Sequence, residues 1–365
     1  MKSVLLTTGG TGGHIFPALA VAEEIRRQYP DLRLQFVGSL YGPEKSLMQK
    51  NGIPFEGLAV RGFLGRGWRA VSAGAMMTAA IVRAVGIIRR RRPQVVLGFG
   101  GYAALAPMLA ATLMGVPCVL HEQNAIAGAS NRLLGKFARR ICLSWPETSG
   151  FAQAKCVLTG NPVRTGIHTA GSERGERRTR RLLVLGGSQG AQALNDFLPK
   201  ILPHLAKAGV EVRHQSGERG EAPTRLAYAA AGCSPDCVSA FIDNMAEAYR
   251  WADIAICRAG ASTAAELCAA GLPAVLVPFP HAAHDHQAHN ARILEKAGVA
   301  VLLPESELHP DHAGGLLLDL LKDKERLNRM SLAALKSARP DAAARVLDVL
   351  KETADAGNSK EYHET

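Results

Sequence analysis

The sequence predicts an α/β protein with two doubly wound domains, each a parallel sheet packed between helices. Short β-branched runs alternate with segments of helical period along most of the chain, which is typical of parallel sheets with crossover helices. The same succession of strand, glycine-rich turn and helix occurs at 7–14 and again at 186–192. A length of 365 residues also suits two domains better than one.

The first half of the chain is predicted to hold six strands and five helices. Strands are expected where apolar, often β-branched residues form short runs, at 4–7, 34–38, 55–59, 95–98, 118–121 and 141–144. Helices are expected in the segments between them, at 17–28, 44–50, 70–91, 103–114 and 130–137.

A charged, non-periodic segment, SERGERRTRR at 172–181, is typical of a surface loop or linker, and the pattern restarts after it. Strands are expected at 182–185, 210–214, 238–241, 254–257 and 274–277, with a helix after the second glycine-rich turn that reaches about Leu205. We set the domains at 1–161 and 162–339, with a C-terminal helix at 340–356 that packs back on the first domain.

The composition favours anionic partners in a reducing compartment. There are 43 Lys and Arg against 32 Asp and Glu, a formal net charge of +11, which attracts phosphorylated ligands, acidic membranes or nucleic acid. The seven cysteines lie mostly in apolar runs without zinc spacing. Residues 1–7 resemble a first strand rather than a leader, so no secretion is expected.

The two glycine-rich turns, GGTGGH (9–14) and GGSQG (186–190), predict a ligand that approaches bare backbone at a helix N-terminus. The alternative is a tight turn that needs glycine for its geometry alone. Neither turn has the P-loop pattern or the dinucleotide pattern, and FVGSLYG (36–42) offers no acid for a nicotinamide-cofactor ribose.

The segment 257–291 holds a second candidate site for an anion. Its helix is expected to begin near Ser262 or Thr263, with N–H groups that suit a diphosphate. Glu266 lies one turn further and could accept hydrogen bonds from both hydroxyls of a ribose. The alternative is a capping box between Thr263 and Glu266.

Four histidines of the same segment, His281, His284, His286 and His289, raise the possibility of a metal site, but their pattern lacks supporting ligands. Polar residues beside a nucleotide sugar explain Asp285, Gln287 and Asn290 equally well. No metal ligand is therefore assigned.

Eight motifs in one order resemble the MurG family of bacterial peptidoglycan transferases. They are GGTGGH (9–14), GFGGY (98–102), HEQNAIAG (121–128), GNPVR (160–164), GGSQG (186–190), FIDNM (241–245), CRAGASTAAE (257–266) and GLPAVLVPFPHAAHDHQAHN (271–290). The family moves N-acetylglucosamine from UDP to lipid I, the undecaprenyl-diphosphate-linked muramyl pentapeptide, and so makes lipid II. The resemblance implies a GT-B fold with two Rossmann-like domains facing a cleft, inversion at the anomeric carbon, and no metal or other cofactor.

The resemblance also implies residue roles. Glu266 is expected at the uridine ribose, Ser188 and the helix after Gly260 at the diphosphate, Asn124 and Gln287 at sugar hydroxyls, and Ile242 beside the uracil. The full set of substrate-binding residues, all expected to bind the donor UDP-sugar, is Thr11, Gly12, Gly13, Asn124, Arg164, Ser188, Ile242, Ala261, Ser262, Thr263, Ala264, Ala265, Glu266 and Gln287. The chain departs from the family at Ser262, where the family often has a bulkier apolar residue, and in three added histidines, His284, His286 and His289.

His14 is the first candidate for the base that accepts the proton of the acceptor 4-hydroxyl, because an imidazole ordinarily titrates near neutral pH. The alternative is a residue at a helix start that bonds only to backbone. Glu122 is the second candidate base. The first glycine-rich turn would then face the diphosphate and sugars of lipid I.

The segment 66–93 is long and apolar, yet Arg83 interrupts it. Met77, Ile81, Val85 and Ile88 form a stripe at helical spacing that is typical of a helix packed on a sheet. The remaining candidates for a membrane surface are Trp68 and the basic residues Arg66, Arg69 and Arg89 to Arg92. They predict a peripheral protein bound to an anionic leaflet on the cytoplasmic face of the cell membrane.

Two other classes of function remain open from sequence. A nucleotide-sugar 2-epimerase shares the fold and the use of a glutamate at the ribose, but it takes no lipid acceptor. A non-enzymatic binder of nucleic acid would interleave aromatic and basic residues, and an aromatic content of 5% disfavours it.

Overall fold

The computed structural model describes residues 1–10, 12–60, 70–172, 180–187 and 189–361. The chain divides into two compact units. Unit 1 comprises Met1–Arg164 and Asp341–Thr365, and unit 2 comprises Thr165–Pro340.

Unit 1 is built on a parallel sheet of seven strands in the order β3-β2-β1-β4-β5-β6-β7. Its strands are β1 Ser3–Thr7, β2 Arg33–Ser39, β3 Phe55–Leu58, β4 Val95–Gly98, β5 Cys118–Glu122, β6 Arg140–Leu143 and β7 Cys156–Leu158. The central strands are buried along their whole length, which explains their continuous apolar runs.

Helices cover both faces of this sheet. They are α1 Gly12–Gln28, α2 Glu44–Lys50, α3 Ala70–Arg91, α4 Tyr102–Leu113, α5 Ala129–Phe137 and the C-terminal helix α14 Ala342–Glu361. One apolar cluster joins α1 and α14 to the sheet, and a second joins α3, α4 and α5 to the opposite face. The burial of Ile88 and the half-burial of Met77, Ile81 and Val85 in the second cluster confirm that this stripe is core.

Unit 2 repeats the arrangement with six parallel strands in the order β10-β9-β8-β11-β12-β13. Its strands are β8 Arg181–Leu185, β9 Glu211–Gln215, β10 Val238–Ser239, β11 Ile254–Cys257, β12 Ala274–Leu276 and β13 Ala300–Leu302. Its helices are α6 Thr165–Ser172, α7 Gln192–Lys207, α8 Glu221–Ala230, α9 Met245–Trp251, α10 Ala261–Ala269, α11 His286–Lys296, α12 Pro310–Lys322 and α13 Lys324–Ser337.

Both units therefore have the strand order of a Rossmann fold, in which the order reverses between the first and fourth strands. In unit 1 this point lies between β1 and β4, and in unit 2 between β8 and β11. Ligands of open α/β sheets bind outside the carboxyl ends of the strands at this point. It is here that the glycine-rich loops lie.

The sequence-based bounds are wrong at one functionally important helix. Helix α1 begins at Gly12 and contains Pro17 in its interior, whereas a proline was expected to open it at 17. His14 consequently lies in the first turn of α1.

Several elements were missed altogether. The three-residue strands β7 and β13 were not expected, nor were the helices α6, α8, α9, α12 and α13. Strand β10 ends at Ser239 rather than 241. Edge strands of two or three residues carry too few apolar positions to show a period.

The charged linker predicted at 172–181 falls largely outside the described residues, as do Arg66, Trp68 and Arg69. Among the helices that are described, none combines the length and the hydropathy that crossing a bilayer requires.

The first prediction concerns glycines at the two ends of α4. Gly101 has φ 79° and ψ 167°, a region that other residues almost never occupy, and a Cβ there would lie 2.1 Å from the carbonyl oxygen of Gly9. Gly115 has φ 73° but open space around it. Gly115→Ala should cost about 1–2 kcal/mol of stability, and Gly101→Ala about 1–3 kcal/mol more.

Urea unfolding of the two variants, side by side, measures this difference. Equal losses of stability would show that the contact with Gly9 tolerates a methyl group, and would contradict the prediction.

Candidate active site

Two loops meet at the reversal point of unit 1. The Gly9 N–H donates to the carbonyl oxygen of Gly100 at 3.2 Å, and a Cβ at Gly9 would lie 2.6 Å from the Cβ of Ala103. Gly9 and Gly101 are therefore required by the packing of one loop on the other. For these two glycines, the geometric explanation is sufficient without a ligand.

Gly10 is different, because it has φ 97° and no atom within 4 Å of a Cβ placed on it. Its N–H donates to Oε1 of Glu44 at 3.0 Å, and Glu44 is completely buried. Gly10 is thus the open member of the loop, and Glu44 fixes its orientation. Thr11 lies outside the described residues, and Gly12 and Gly13 form the start of α1.

His14 is half-buried in the first turn of α1, and its Nδ1 lies 2.9 Å from Oε1 of Gln123. Gln123 and His121 lie at the carboxyl end of β5, both with at most 1% of their surface exposed. Burial lowers the pKa of His121 to about 4, so this ring is neutral at physiological pH. The partner of His14 is a side chain and not the backbone expected of a simple helix-start residue.

Glu122, the second candidate base, accepts four hydrogen bonds. Its Oε1 faces the backbone N–H and the side-chain amide of Asn124 at 2.9 and 3.1 Å. Its Oε2 faces the N–H of Gly128 and the amide of Asn131 at 3.1 and 2.8 Å. Because two donors occupy each oxygen of this buried carboxylate, the geometry favours an anchor for the loop at 122–131 over a base. It also orients Asn124.

Arg164 is the last residue of the first of the two segments that form unit 1. Its guanidinium carbon lies 4.7 Å from the centre of the Phe16 ring, a cation–π arrangement that holds a cation in place while leaving part of it open to an anion. The side chain is half-buried. Phe16 lies in α1, two residues after His14.

In the glycine-rich loop of unit 2, as in that of unit 1, one glycine is required by packing and another is open. A Cβ at Gly190 would lie 2.3 Å from the carbonyl oxygen of Ser216, whereas Gly187, at φ 78°, has nothing within 4 Å. Gly190 therefore serves packing, and Gly187 is the open position. Ser188, expected at the diphosphate, lies outside the described residues.

Helix α10 begins at Ala261, with Gly260 as its N-cap and no side-chain cap hydrogen bond. Thr263 is therefore inside the first turn, and the capping box that was the alternative explanation of Glu266 does not form. The expected binding segment from Ala261 through Ser262, Thr263, Ala264 and Ala265 to Glu266 is the first two turns of this helix. Its first N–H groups supply the partial positive charge that favours an anion.

Glu266 is 8% exposed, and the hydroxyl of Tyr249 donates to its Oε2 at 2.8 Å. Tyr249 lies in α9 and is itself completely buried. A hydrogen bond from a fixed hydroxyl holds the carboxylate in one orientation, which a bidentate acceptor needs.

Two side chains of α11 complete the loops of unit 2. Gln287 accepts the Phe279 N–H through Oε1 at 3.0 Å, so its NH₂ end is directed away from that loop as a donor. Asn290 donates to the carbonyl oxygen of Ala259 at 3.1 Å and so holds the turn that precedes α10. Ile242 is half-buried and lines a cavity with Trp251.

The four histidines of this region do not converge. His281 and His284 are exposed, while His286 and His289 are half-buried. Over the described part of the chain, no three His, Cys, Asp or Glu side chains are placed to hold one metal ion. His284 and Asp285 both have φ 54°, so the entry to α11 is a left-handed turn without glycine.

Three residues that bear on the site were missed from sequence. Glu44, Gln123 and Tyr249 each hold a candidate residue through one hydrogen bond. Gln123 stood inside the HEQNAIAG motif and could have been singled out. Glu44 and Tyr249 carried no signal, since each meets its partner only through the fold.

Two Rossmann-like parallel-sheet units, each with an open glycine loop at its reversal point, define the GT-B class of glycosyltransferase fold. The profile of the glycosyltransferase family 28 N-terminal domain matches residues 4–143, and that of the family 28 C-terminal domain matches residues 181–346. The chain belongs to glycosyltransferase family 28 and, within it, to the MurG family.

Full-length relatives support this assignment. The chain is 54% identical to a UDP-N-acetylglucosamine--N-acetylmuramyl-(pentapeptide) pyrophosphoryl-undecaprenol N-acetylglucosamine transferase of Nitratidesulfovibrio vulgaris, over 96% of this chain and 98% of the relative. Its sequence is 33% identical to that of the protein in the crystal structure of Acinetobacter baumannii MurG. The two structures have a TM-score of 0.75, and the match covers 96% of this chain and all of that one.

A UDP-N-acetylglucosamine 2-epimerase shares the fold alone, at 14% identity and a TM-score of 0.65 over 95% of this chain and 94% of that one.

The second prediction follows from the burial of His121. Unfolded, the ring binds a proton below its ordinary pKa of 6.5; folded, it does so only near 4. Stability should therefore fall as the pH drops from 6.5 towards 4 and level off below, with a loss of about 2 kcal/mol by pH 5.

Urea unfolding at pH 7.5 and pH 5 in wild type and His121→Asn isolates this contribution, because the variant lacks the titrating ring. The exposed His204→Asn is the control and should keep the wild-type difference. A His121→Asn variant with the full wild-type pH dependence would refute the assignment.

Proposed function

We propose that the protein transfers N-acetylglucosamine from UDP-N-acetylglucosamine to the 4-hydroxyl of the muramyl residue of lipid I, giving lipid II with inversion at the anomeric carbon. The observation that carries this proposal is similarity over almost the full chain to transferases whose names state that donor and that acceptor. The 2-epimerase is supported only by a shared fold at low identity.

Unit 2 would bind the donor. The N-terminus of α10 and the open backbone at Gly187 suit the diphosphate, and Glu266, held by Tyr249, suits the two ribose hydroxyls. Ile242 would border the uracil, and the NH₂ end of Gln287 would donate to a sugar hydroxyl. As UDP leaves it gains negative charge, which fixed N–H donors and Arg164 can stabilise.

Unit 1 would bind the acceptor. Gly10 leaves backbone open beside the start of α1, which Gly12 and Gly13 form, and there the diphosphate of lipid I would meet N–H donors. Attack by the 4-hydroxyl requires a base for its proton, and His14 in the first turn of α1 would take it. Asn124, oriented by Glu122, would hold a sugar hydroxyl.

The direct test is transfer of labelled N-acetylglucosamine from UDP to a lipid I analogue, followed by extraction into butanol. Label should enter the organic phase only when the analogue is present. Conversion of the sugar nucleotide without any acceptor would instead support an epimerase, and no reaction with either would refute the proposal.

The third prediction concerns the donor ribose. Glu266→Gln keeps the size of the side chain and removes its charge, so KM for UDP-N-acetylglucosamine should rise about tenfold or more. Tyr249→Phe removes one hydrogen bond to that carboxylate and should raise KM about threefold to tenfold. Steady-state kinetics with varied donor measure both.

The matched control is Glu247→Gln, an exposed carboxylate in the same helix as Tyr249, which pairs with Arg213. It should leave KM unchanged. If Glu266→Gln lowered only the thermal stability and left donor kinetics intact, the ribose role would be wrong.

We further propose that unit 1 binds the cytoplasmic face of the membrane peripherally, through anionic lipid. Helices α3 and α4 expose large apolar side chains, with Val82 68% and Leu113 75% exposed. Arg83, next to Val82, and Arg89, in the last turn of α3, are exposed as well. Apolar side chains beside cations suit the interface of an anionic leaflet.

Not all of the basic run at Arg89 to Arg92 is equally available to lipid. Arg90 and Arg91 both pair with Glu56, at 2.6 and 2.8 Å, so part of their charge is already offset. Arg83 and Arg89 are therefore better probes of a membrane contact.

The fourth prediction is that the protein floats with phosphatidylglycerol vesicles at low salt and is released by salt. Arg83→Gln together with Arg89→Gln should weaken binding by about 2 kcal/mol, roughly thirtyfold, at about 1 kcal/mol for each basic residue. Arg326→Gln with Arg329→Gln makes the same change of charge on α13 of unit 2 and should have little effect.

Vesicle flotation over a salt series measures these affinities. Binding that ignores lipid charge would contradict the proposal, and binding that resists both salt and alkaline carbonate would indicate insertion.

A further inference from the structure

A continuous chain of hydrogen bonds runs along the carboxyl edge of the unit 1 sheet. It begins at the backbone carbonyls of Gly160 and Phe99, passes through His121 and Gln123, and ends at His14. The members come from the ends of β4, β5 and β7 and from the start of α1. Because carbonyl oxygens only accept hydrogen bonds, both starting points impose a direction on the chain.

The first step fixes the proton of His121. Its Nε2 lies 3.1 Å from the carbonyl oxygen of Gly160, so Nε2 must carry the hydrogen. Burial keeps the ring neutral by lowering its pKa to about 4, so Nδ1 carries a lone pair. This Nδ1 therefore requires a donor.

The second step fixes the amide of Gln123. Its Nε2 lies 3.0 Å from the carbonyl oxygen of Phe99, 3.1 Å from Nδ1 of His121 and 3.3 Å from the carbonyl oxygen of His121. All three atoms are acceptors, and the two hydrogens of an NH₂ group serve the two shorter contacts. With the amide reversed, an oxygen would face only acceptors in a buried site and lose these bonds. The amide oxygen is therefore the end that faces α1.

The third step reaches His14. Oε1 of Gln123 lies 2.9 Å from Nδ1 of His14, so Nδ1 must donate, and in the neutral ring Nε2 has the lone pair. A histidine side chain free in water prefers the opposite tautomer, with its proton on Nε2. The arrangement therefore reverses the ordinary preference of the imidazole and reserves Nε2 as the acceptor of a proton.

We propose that Gln123 is a positioning residue that holds His14 in the Nδ1–H tautomer and thereby makes Nε2 the basic atom. Its link to catalysis rests on the proposed function, in which His14 is the base. Gln123 is one residue after β5 and is 1% exposed, so it acts through His14 without access to substrate. Because the backbone carbonyls of Gly160 and Phe99 do not titrate, the tautomer that they impose on His14 does not depend on any titrating group at the surface.

The test is the tautomer itself, read by long-range ¹H–¹⁵N correlation in protein labelled at histidine nitrogen. Comparison with His14→Gln assigns the His14 signals. Wild type is expected to show the proton on Nδ1 of His14. Gln123→Met has the same length and no polar atom, and it should shift His14 towards the Nε2–H form.

The same variant should lower kcat about tenfold or more, since a base acting in proton transfer contributes roughly 10²–10⁴ to a rate, while KM for UDP-N-acetylglucosamine stays within about twofold. Gln28→Met, an exposed glutamine at the other end of α1, is the control and should change neither readout.

A second measurement guards against simple misfolding. The circular dichroism spectrum and the thermal midpoint of Gln123→Met are compared with those of the wild type, because Gln123 also bonds to Phe99 and His121. A merely structural role for Gln123 would lower the stability and leave the tautomer of His14 unchanged.

Three outcomes would overturn the inference: wild-type His14 with its proton on Nε2, an unchanged tautomer in Gln123→Met, or a shifted tautomer with unchanged kcat. A wild-type protein without transferase activity would instead refute the proposed function, and the tautomer measurement would still decide whether Gln123 positions His14.

Discussion

The contact between two glycine loops at the reversal point of unit 1 is the constraint on which the site depends. The carbonyl oxygen of Gly9 occupies the place where a side chain at residue 101 would begin, and the Gly9 N–H closes the contact on Gly100. Only backbone without Cβ atoms can approach so closely. This approach brings the start of α1 and the start of α4 to the same edge of the sheet.

The same constraint explains why glycine-rich loops overstate the size of a ligand site. In unit 2, Gly190 and Gly217 meet backbone to backbone, with a Cβ at either one placed within 2.5 Å of main-chain atoms of the other loop. Both glycines are therefore required for the packing of one loop on the other and leave no open backbone for a ligand. Gly10 and Gly187, which have positive φ and open surroundings, are the positions where bare backbone can face a ligand, so each loop offers a narrower site than its sequence suggests.

Three features were predictable because each depends only on residues that are neighbours in the sequence. They are the alternation of strands and helices, the two glycine loops and the start of a second site near 261. The first turn of α1 was not predictable, because Pro17 is an ordinary sign of a helix start and glycines are poor helix formers. Glu44 and Tyr249 could not be found either. Each reaches its partner across many residues of chain, and a single sequence holds no record of such pairs.

Each unit buries a histidine whose ring proton is fixed by a backbone carbonyl, directly for His121 and through the Asn195 amide for His214. The two hydrogen-bond chains nevertheless end at different kinds of residue. In unit 2, Asn195 donates to the carbonyl oxygen of Ser216, so its Oδ1 accepts from His214 at 3.0 Å, and the other ring nitrogen takes the hydroxyl of Tyr228 at 2.8 Å. Tyr228 is completely buried, so that chain closes within the core and holds the loop at Ser216.

In unit 1 the corresponding chain ends at His14, which is only half-buried. The physical device is the same, since acceptor-only carbonyls orient amides and neutral imidazoles in a medium where an unpaired polar group is costly. What differs is the terminus: a hydroxyl inside the core can only stabilise, whereas an imidazole at the edge of the sheet can exchange a proton. A structural network thus becomes a chemical one when its last member reaches the surface.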